Sequence, residues 1–109
     1  MKNKVHISGC CVIVVLALFT LTVYSQDVRI NSGAYVKTTG NASIIIKDAD
    51  LINNGSFTAG EASSLTFKGS GTQTVEGSSP CTFNHLILNN NGGLILGNSE
   101  TVNGTLTFI

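Results

Sequence analysis

The chain has 109 residues, enough for one small domain. Only 11% of them are charged and the formal net charge is zero, so no basic surface is available to offset phosphate charge; with no aromatic cluster for base stacking, nucleic-acid binding is excluded. Beyond the N-terminal quarter Gly, Asn, Ser and Thr abound and helix formers are scarce, yet Ile, Leu, Val and Phe recur too regularly for a disordered chain.

Residues 1–25 have the layout of a secretory signal peptide. Lys2 and Lys4 form a positive start, Cys11–Leu21 is a nearly unbroken apolar run, and Val23-Tyr24-Ser25 ends on a small residue. Cleavage is expected between Ser25 and Gln26, leaving residues 26–109 as a secreted or cell-surface β-repeat segment. The alternative is an uncleaved membrane anchor over residues 12–23, short for a span of about 20 residues; the membrane then enters only through this segment. Ile7-Ser8-Gly9-Cys10 resembles a lipoprotein box but precedes the apolar run, which argues against lipidation of Cys10. Loss of the leader removes Cys10 and Cys11 and leaves Cys81 alone, so neither an internal disulfide nor a four-ligand zinc site can form.

The remainder reads as short strands between frequent turns. Val28 and Ile30 alternate around Arg29, and Asn31-Ser32-Gly33 turns. Strands are predicted over Ala34–Thr38 and over Ser43–Lys47, whose Ile44-Ile45-Ile46 run is β-branched and resists helix. Asp48-Ala49-Asp50 interrupts. Strands follow at Leu51-Ile52, Ser56–Ala59, Leu65–Lys68, Thr72–Glu76, Thr82–Asn89, Leu94–Leu96 and Thr101–Ile109.

An apolar doublet straddling one residue recurs every 20 or 21 positions, at Ile44/Ile46, Leu65/Phe67, Leu86/Leu88 and Leu106/Phe108, and Lys47 and Lys68 follow two of them. Both members of a doublet point to one face of a strand. A period near 20 residues with no crossover helix predicts an all-β, short-strand β-solenoid, right-handed and β-helix-like, of about four coils after the signal peptide. The alternative is a β-sandwich, since Asn54-Gly55, Asn91-Gly92 and Asn103-Gly104 are also hairpin signals. Corners of a solenoid accept Asn-Gly because both residues tolerate positive φ. Val28/Ile30 and Leu94/Leu96 fall off the period. A leucine-rich repeat fits Phe83–Asn91 once and then fails at Gly93.

Gly71-Thr72-Gln73-Thr74-Val75-Glu76-Gly77, Thr82-Phe83-Asn84-His85-Leu86-Ile87-Leu88-Asn89-Asn90, Gly93-Leu94-Ile95-Leu96 and Val102-Asn103-Gly104-Thr105-Leu106-Thr107 form one run. It resembles the repeat regions of large secreted surface proteins of Bacteroidota, which show G-x-Q-x-I-x-G, then F-x-N-L-x-I-N-N, then V-N-G-T-L-T-L. His85 departs from the pattern, standing where Asn or a similar polar residue is usual. The resemblance covers about Leu65–Phe108 and implies an adhesin-like or scaffolding role and export linked to type IX secretion. Many such proteins use a C-terminal sorting domain for that export, and the apolar end Leu106-Thr107-Phe108-Ile109 has no polar cap. The implied product is an N-terminal piece of a longer protein, or a fragment without independent function.

Sites of chemistry are weakly signalled, and no enzyme activity or cofactor is expected. Asp48 and Asp50 place two carboxylates on one side of an extended segment, but Ile52 and Asn53 break an EF-hand loop and Ile95 breaks the calcium-binding nonapeptide. His85 lies four positions after Cys81, with nothing else to support a Cys–His pair. The Asn residues are expected to stack as amide ladders between coils. The leading expectation is a non-catalytic, exported, adhesin-like β-repeat protein. The alternative is a carbohydrate-binding or carbohydrate-active module with Asp48, Asp50 and Tyr35 as its weak ligand contacts. Expected partners are a surface polysaccharide, another surface protein, or a second copy associating through the C-terminal strand.

Overall fold

The computed structural model describes residues 5–7, 13–17, 20–24 and 27–109, the first three segments by their backbone alone. The expected cleavage point at Ser25 and Gln26 lies outside the described residues. Among these the structure is all-β, with no helix and hence none long and apolar enough to cross a membrane.

Among the described residues fifteen strands wind in five coils of three. The first coil is β1 (Val5–Ile7), β2 (Ile13–Ala17) and β3 (Thr20–Tyr24), and the second is β4 (Val28–Ile30), β5 (Tyr35–Thr39) and β6 (Ser43–Lys47). β7 (Leu51–Asn53), β8 (Ser56–Thr58) and β9 (Ser64–Gly69) make the third; β10 (Gln73–Glu76), β11 (Cys81–Phe83) and β12 (His85–Asn90) the fourth. β13 (Leu94–Leu96), β14 (Thr101–Val102) and β15 (Leu106–Phe108) complete the fifth. Every pairing is parallel and joins equivalent strands of successive coils, giving three five-stranded sheets in the orders β1-β4-β7-β10-β13, β2-β5-β8-β11-β14 and β3-β6-β9-β12-β15. This is a β-solenoid, with four coils in residues 27–109, and the sandwich alternative falls because every strand pairing among the described residues is parallel and none is a hairpin.

The recurring doublets are the inner columns of the third sheet. Ile44 pairs with Leu65, Leu65 with Leu86 and Leu86 with Leu106, while Ile46, Phe67, Leu88 and Phe108 form a second column. Lys47 and Lys68 are register partners on this sheet. The doublets that fell off the period belong to the first sheet, where Val28 pairs with Leu51, Leu51 with Val75 and Val75 with Leu96. In the second sheet Val36, Phe57 and Cys81 form an inner column, and the rings of Phe57 and Phe83 meet at 5.5 Å and 49°. Ile30, Ile46, Leu51, Phe67, Val75 and Phe83 are fully enclosed, so the core is a single apolar shaft running along the stack.

Two sequence expectations need correction. Thr82–Asn89, read as one strand, is broken at Asn84, where the chain leaves the second sheet for the third; β11 ends at Phe83 and β12 starts at His85. Thr101–Ile109 breaks likewise between Val102 and Leu106. The reason given for the Asn-Gly pairs also changes. Each pair sits at a different corner, and none of Gly55, Gly92 and Gly104 has positive φ. A Cβ on Gly55 would overlap the Ala34 carbonyl oxygen, and one on Gly92 would overlap the Gly71 backbone. Glycine is required there by the close approach of the coil below.

Candidate functional site

The corner between the third and first sheets gathers the acidic pair singled out from sequence. Asp48 takes a left-handed backbone, φ 53°, which Asp tolerates better than most residues. Its Oδ1 accepts the Ser70 amide at 3.3 Å, and Asp50 Oδ1 accepts the Thr74 amide at 2.8 Å. Both carboxylates therefore cap backbone donors of the next coil. They border one recess of about 130 Å³ with Thr72 and Gln73, well below the roughly 300–1,000 Å³ of clefts that engulf small-molecule ligands. Tyr35, the third residue of that contact set, is on β5 in the second sheet and does not border the recess. A broader depression beside it is lined by Lys47, Asp48, Lys68, Gly69, Ser70 and Asn89.

The other candidate side chains are also turned toward neighbouring coils. His85 Nδ1 lies 2.8 Å from Thr105 Oγ1 and accepts the Thr105 amide at 3.3 Å, which places its proton on Nε2. Cys81 is fully buried, and its amide donates to Glu100 Oε2. Burial, and then the Glu100 carboxylate beside it, push the Cys81 thiol up to about 12, against a smaller opposing effect of Asn53. A nucleophilic cysteine needs the reverse shift. Among the described residues no three of His, Cys, Asp and Glu converge as a metal-holding group.

Sequence reasoning missed the buried polar residues. Gln73 is enclosed at an inward position of β10, where its Nε2 donates to the carbonyls of Ala49 at 2.7 Å and Ile46 at 3.1 Å. Asn53 is equally buried; its Nδ2 donates to the Pro80 carbonyl and its Oδ1 accepts the Gly55 amide. Thr38 donates to Ser63 Oγ at 2.9 Å, and Ser63 to the Gly60 carbonyl at 2.6 Å. Asn54 and Asn98 reach the Ser78 amide and the Gly77 carbonyl of adjoining coils. Among the described residues these Asn side chains bond to backbone groups, most of them of an adjoining coil, where amide-to-amide ladders were expected. The available signal for Gln73 was its place two residues before Val75, on the same strand face.

An apolar concavity lies at the C-terminal end. A groove of about 270 Å³ is lined by Leu88, Leu94, Leu96, Val102, Leu106 and Phe108, together with Glu100. Each third-sheet column, closed lower down, opens here: Leu86 is 1% exposed, Leu106 is 50% and Phe108 is 74%.

Comparison with models of known protein families, with curated proteins and with solved structures finds no match to this chain.

Proposed function

We propose that the chain is an exported, non-catalytic β-repeat protein that acts as a spacer or adhesive surface outside the cell. One observation carries the reading: the side chains best suited to chemistry spend their hydrogen bonds on the adjoining coil. Asp48, Asp50 and His85 hold backbone groups of the next turn, and Glu100 holds the Cys81 amide. The leader-like layout of residues 1–25 supports export, with cleavage before Gln26 and the first coil lost with it. The run from Leu65 to Phe108, in its resemblance to Bacteroidota surface repeats, supports a place at the cell surface and a role in contact. The outward faces offer Thr, Ser and Lys to a surface polysaccharide or to another surface protein.

The test is expression in a bacterial host, followed by fractionation and intact-mass measurement. The expected product lies outside the inner membrane and begins at Gln26. A cytoplasmic product retaining Met1 would sink the export reading.

A second reading, carbohydrate contact, rests on the shared recess of Asp48 and Asp50. It expects a polysaccharide retained by the native chain and released by Asp48→Ala. Equal retention by both removes it.

A further inference from the structure

We propose that the outward face of the third sheet binds an acidic polysaccharide of the uronate class, laid along the solenoid axis so that its carboxylates meet Lys47 and Lys68. Ile44, Ile46, Leu65, Phe67 and Leu86 face the core, so the residues between them on these strands face out. Lys47 on β6 and Lys68 on β9 are register partners, and Asn89 on β12 continues their column. Neighbouring strands lie about 4.8 Å apart, so two cations of like sign are anchored side by side, an arrangement that costs stability until an anion joins them. No Asp or Glu occurs in the described strands of this sheet, β3, β6, β9, β12 and β15. Asp48 borders the same depression, of about 390 Å³, but its Oδ1 is turned onto the Ser70 amide. The neutrality of the whole chain hides this segregation of charge.

The rest of the face selects the anion. Ser43 and Ser64 form a hydroxyl column at the far side of the sheet, and the half-buried Ile45, Thr66 and Ile87 run between it and the lysines. Hydroxyl and amide groups match the hydroxyls of a sugar, and the middle column matches the C–H face of its ring. The columns repeat once per coil, so a polymer of repeated acidic sugars meets equivalent contacts on successive coils, each weak and together stronger. A peptide docks on a free strand edge or in a side-chain pocket, whereas β6, β9 and β12 are each paired on both sides. Two lysines are too few for the phosphate at every step of a nucleic acid, or for a polysulfated chain, while one cation per coil suits a polymer with a single carboxylate per sugar. The inference rests on the surface-contact reading above and gives its polysaccharide a class and a face.

The test is biolayer interferometry of the purified chain on immobilised polygalacturonate, with neutral dextran, dextran sulfate and duplex DNA alongside. The expected result is binding to polygalacturonate at about 0.02 M NaCl that is lost by about 0.3 M, as salt screens the charges, and no binding to dextran. Lys68→Gln is expected to weaken binding about three- to fivefold, and Lys47→Gln combined with Lys68→Gln about tenfold or more, both with unchanged far-ultraviolet circular dichroism. Asp48→Asn keeps an acceptor for the Ser70 amide, removes a competing charge, and is expected to tighten binding. No binding to polygalacturonate, equal binding to dextran, or indifference to the glutamine variants overturns the inference. Binding to dextran sulfate or DNA without binding to polygalacturonate overturns it equally. Binding lost in Asp48→Asn and kept in Lys68→Gln moves the contact to the recess and overturns it too. An exported product that ignores polygalacturonate sinks this inference alone, and a cytoplasmic product that binds it sinks the export reading alone.

Discussion

Asn90 donates its side-chain amide to Gln73 Oε1 at 2.6 Å, joining the edge of the third sheet to the floor of the first. The same amide reaches the Gly71 carbonyl, and Gln73 passes the chain of bonds on to Ala49 and Ile46 one coil down. Two coils are thereby joined at this corner. Replacing Gln73 by Leu keeps the volume and strips the Ala49 and Ile46 carbonyls of their side-chain donor. A loss of about 2–4 kcal/mol in urea unfolding is expected, since each buried group left unsatisfied costs about 1–3 kcal/mol. A neutral result would mean that water replaces the side chain.

Glycine positions separate into two kinds. At Gly55 an added Cβ overlaps the Ala34 carbonyl oxygen, whereas at Gly71 it meets nothing within 4 Å. Gly55→Ala is expected to lower the midpoint of thermal unfolding by several degrees. Gly71→Ala, at a position without positive φ, is expected to stabilise by about 0.4–1 kcal/mol through the unfolded chain. Differential scanning calorimetry of the two variants side by side decides it.

Phe83 and Phe108 occupy the fourth and fifth coils, yet one is fully enclosed and the other 74% exposed. Phe83→Ala removes the ring packed at a tilt against Phe57 and is expected to cost about 3–5 kcal/mol in denaturant unfolding. Phe108→Ala is expected to stay within about 0.5 kcal/mol when measured on dilute protein.

Cys81 links stability to alkaline pH. Its thiol is raised from 9.0 to about 12 by burial and by Glu100, so the folded chain keeps its proton where the unfolded chain releases it. The unfolded state then binds fewer protons, and stability falls as pH climbs from 9 toward 12, by at most about 1.4 kcal/mol per unit. Below pH 9 this contribution vanishes. Cys81→Ala is expected to flatten the alkaline limb relative to the native chain, as read from urea midpoints at pH 8, 9 and 10. A parallel loss in both proteins would assign the slope to other groups.

The third sheet was legible in the sequence because its corners keep their lengths: Ile44, Leu65, Leu86 and Leu106 return at nearly constant intervals. The strands of the first sheet were found one by one, but not as a sheet, since Val28, Leu51 and Val75 are spaced more widely and the neighbouring inward positions include Asn53, beside Ile30, and Gln73, beside Leu94. Polarity at an inward position erases the alternation on which strand reading depends. Asn84 was absorbed into a strand because no glycine or proline marks the bend; its neighbours Phe83 and Leu86 simply face the core from different sheets. The acidic pair was legible as a pair, but its bonds to Ser70 and Thr74 run between coils and leave no trace in spacing along the chain.

The unequal steps of the three sheets have a genetic meaning. Corners absorb the difference between a step of 23 at Val28–Leu51 and one of 21 at Ile44–Leu65 without disturbing either ladder. A codon gained or lost at a corner therefore shifts only the slack, while one inside a strand turns its remaining side chains inside out until the next bend. Because each coil touches only its neighbours, duplication or excision of a whole coil leaves a shorter or longer rod of the same cross-section. Length is free to drift in such a gene; phase is not.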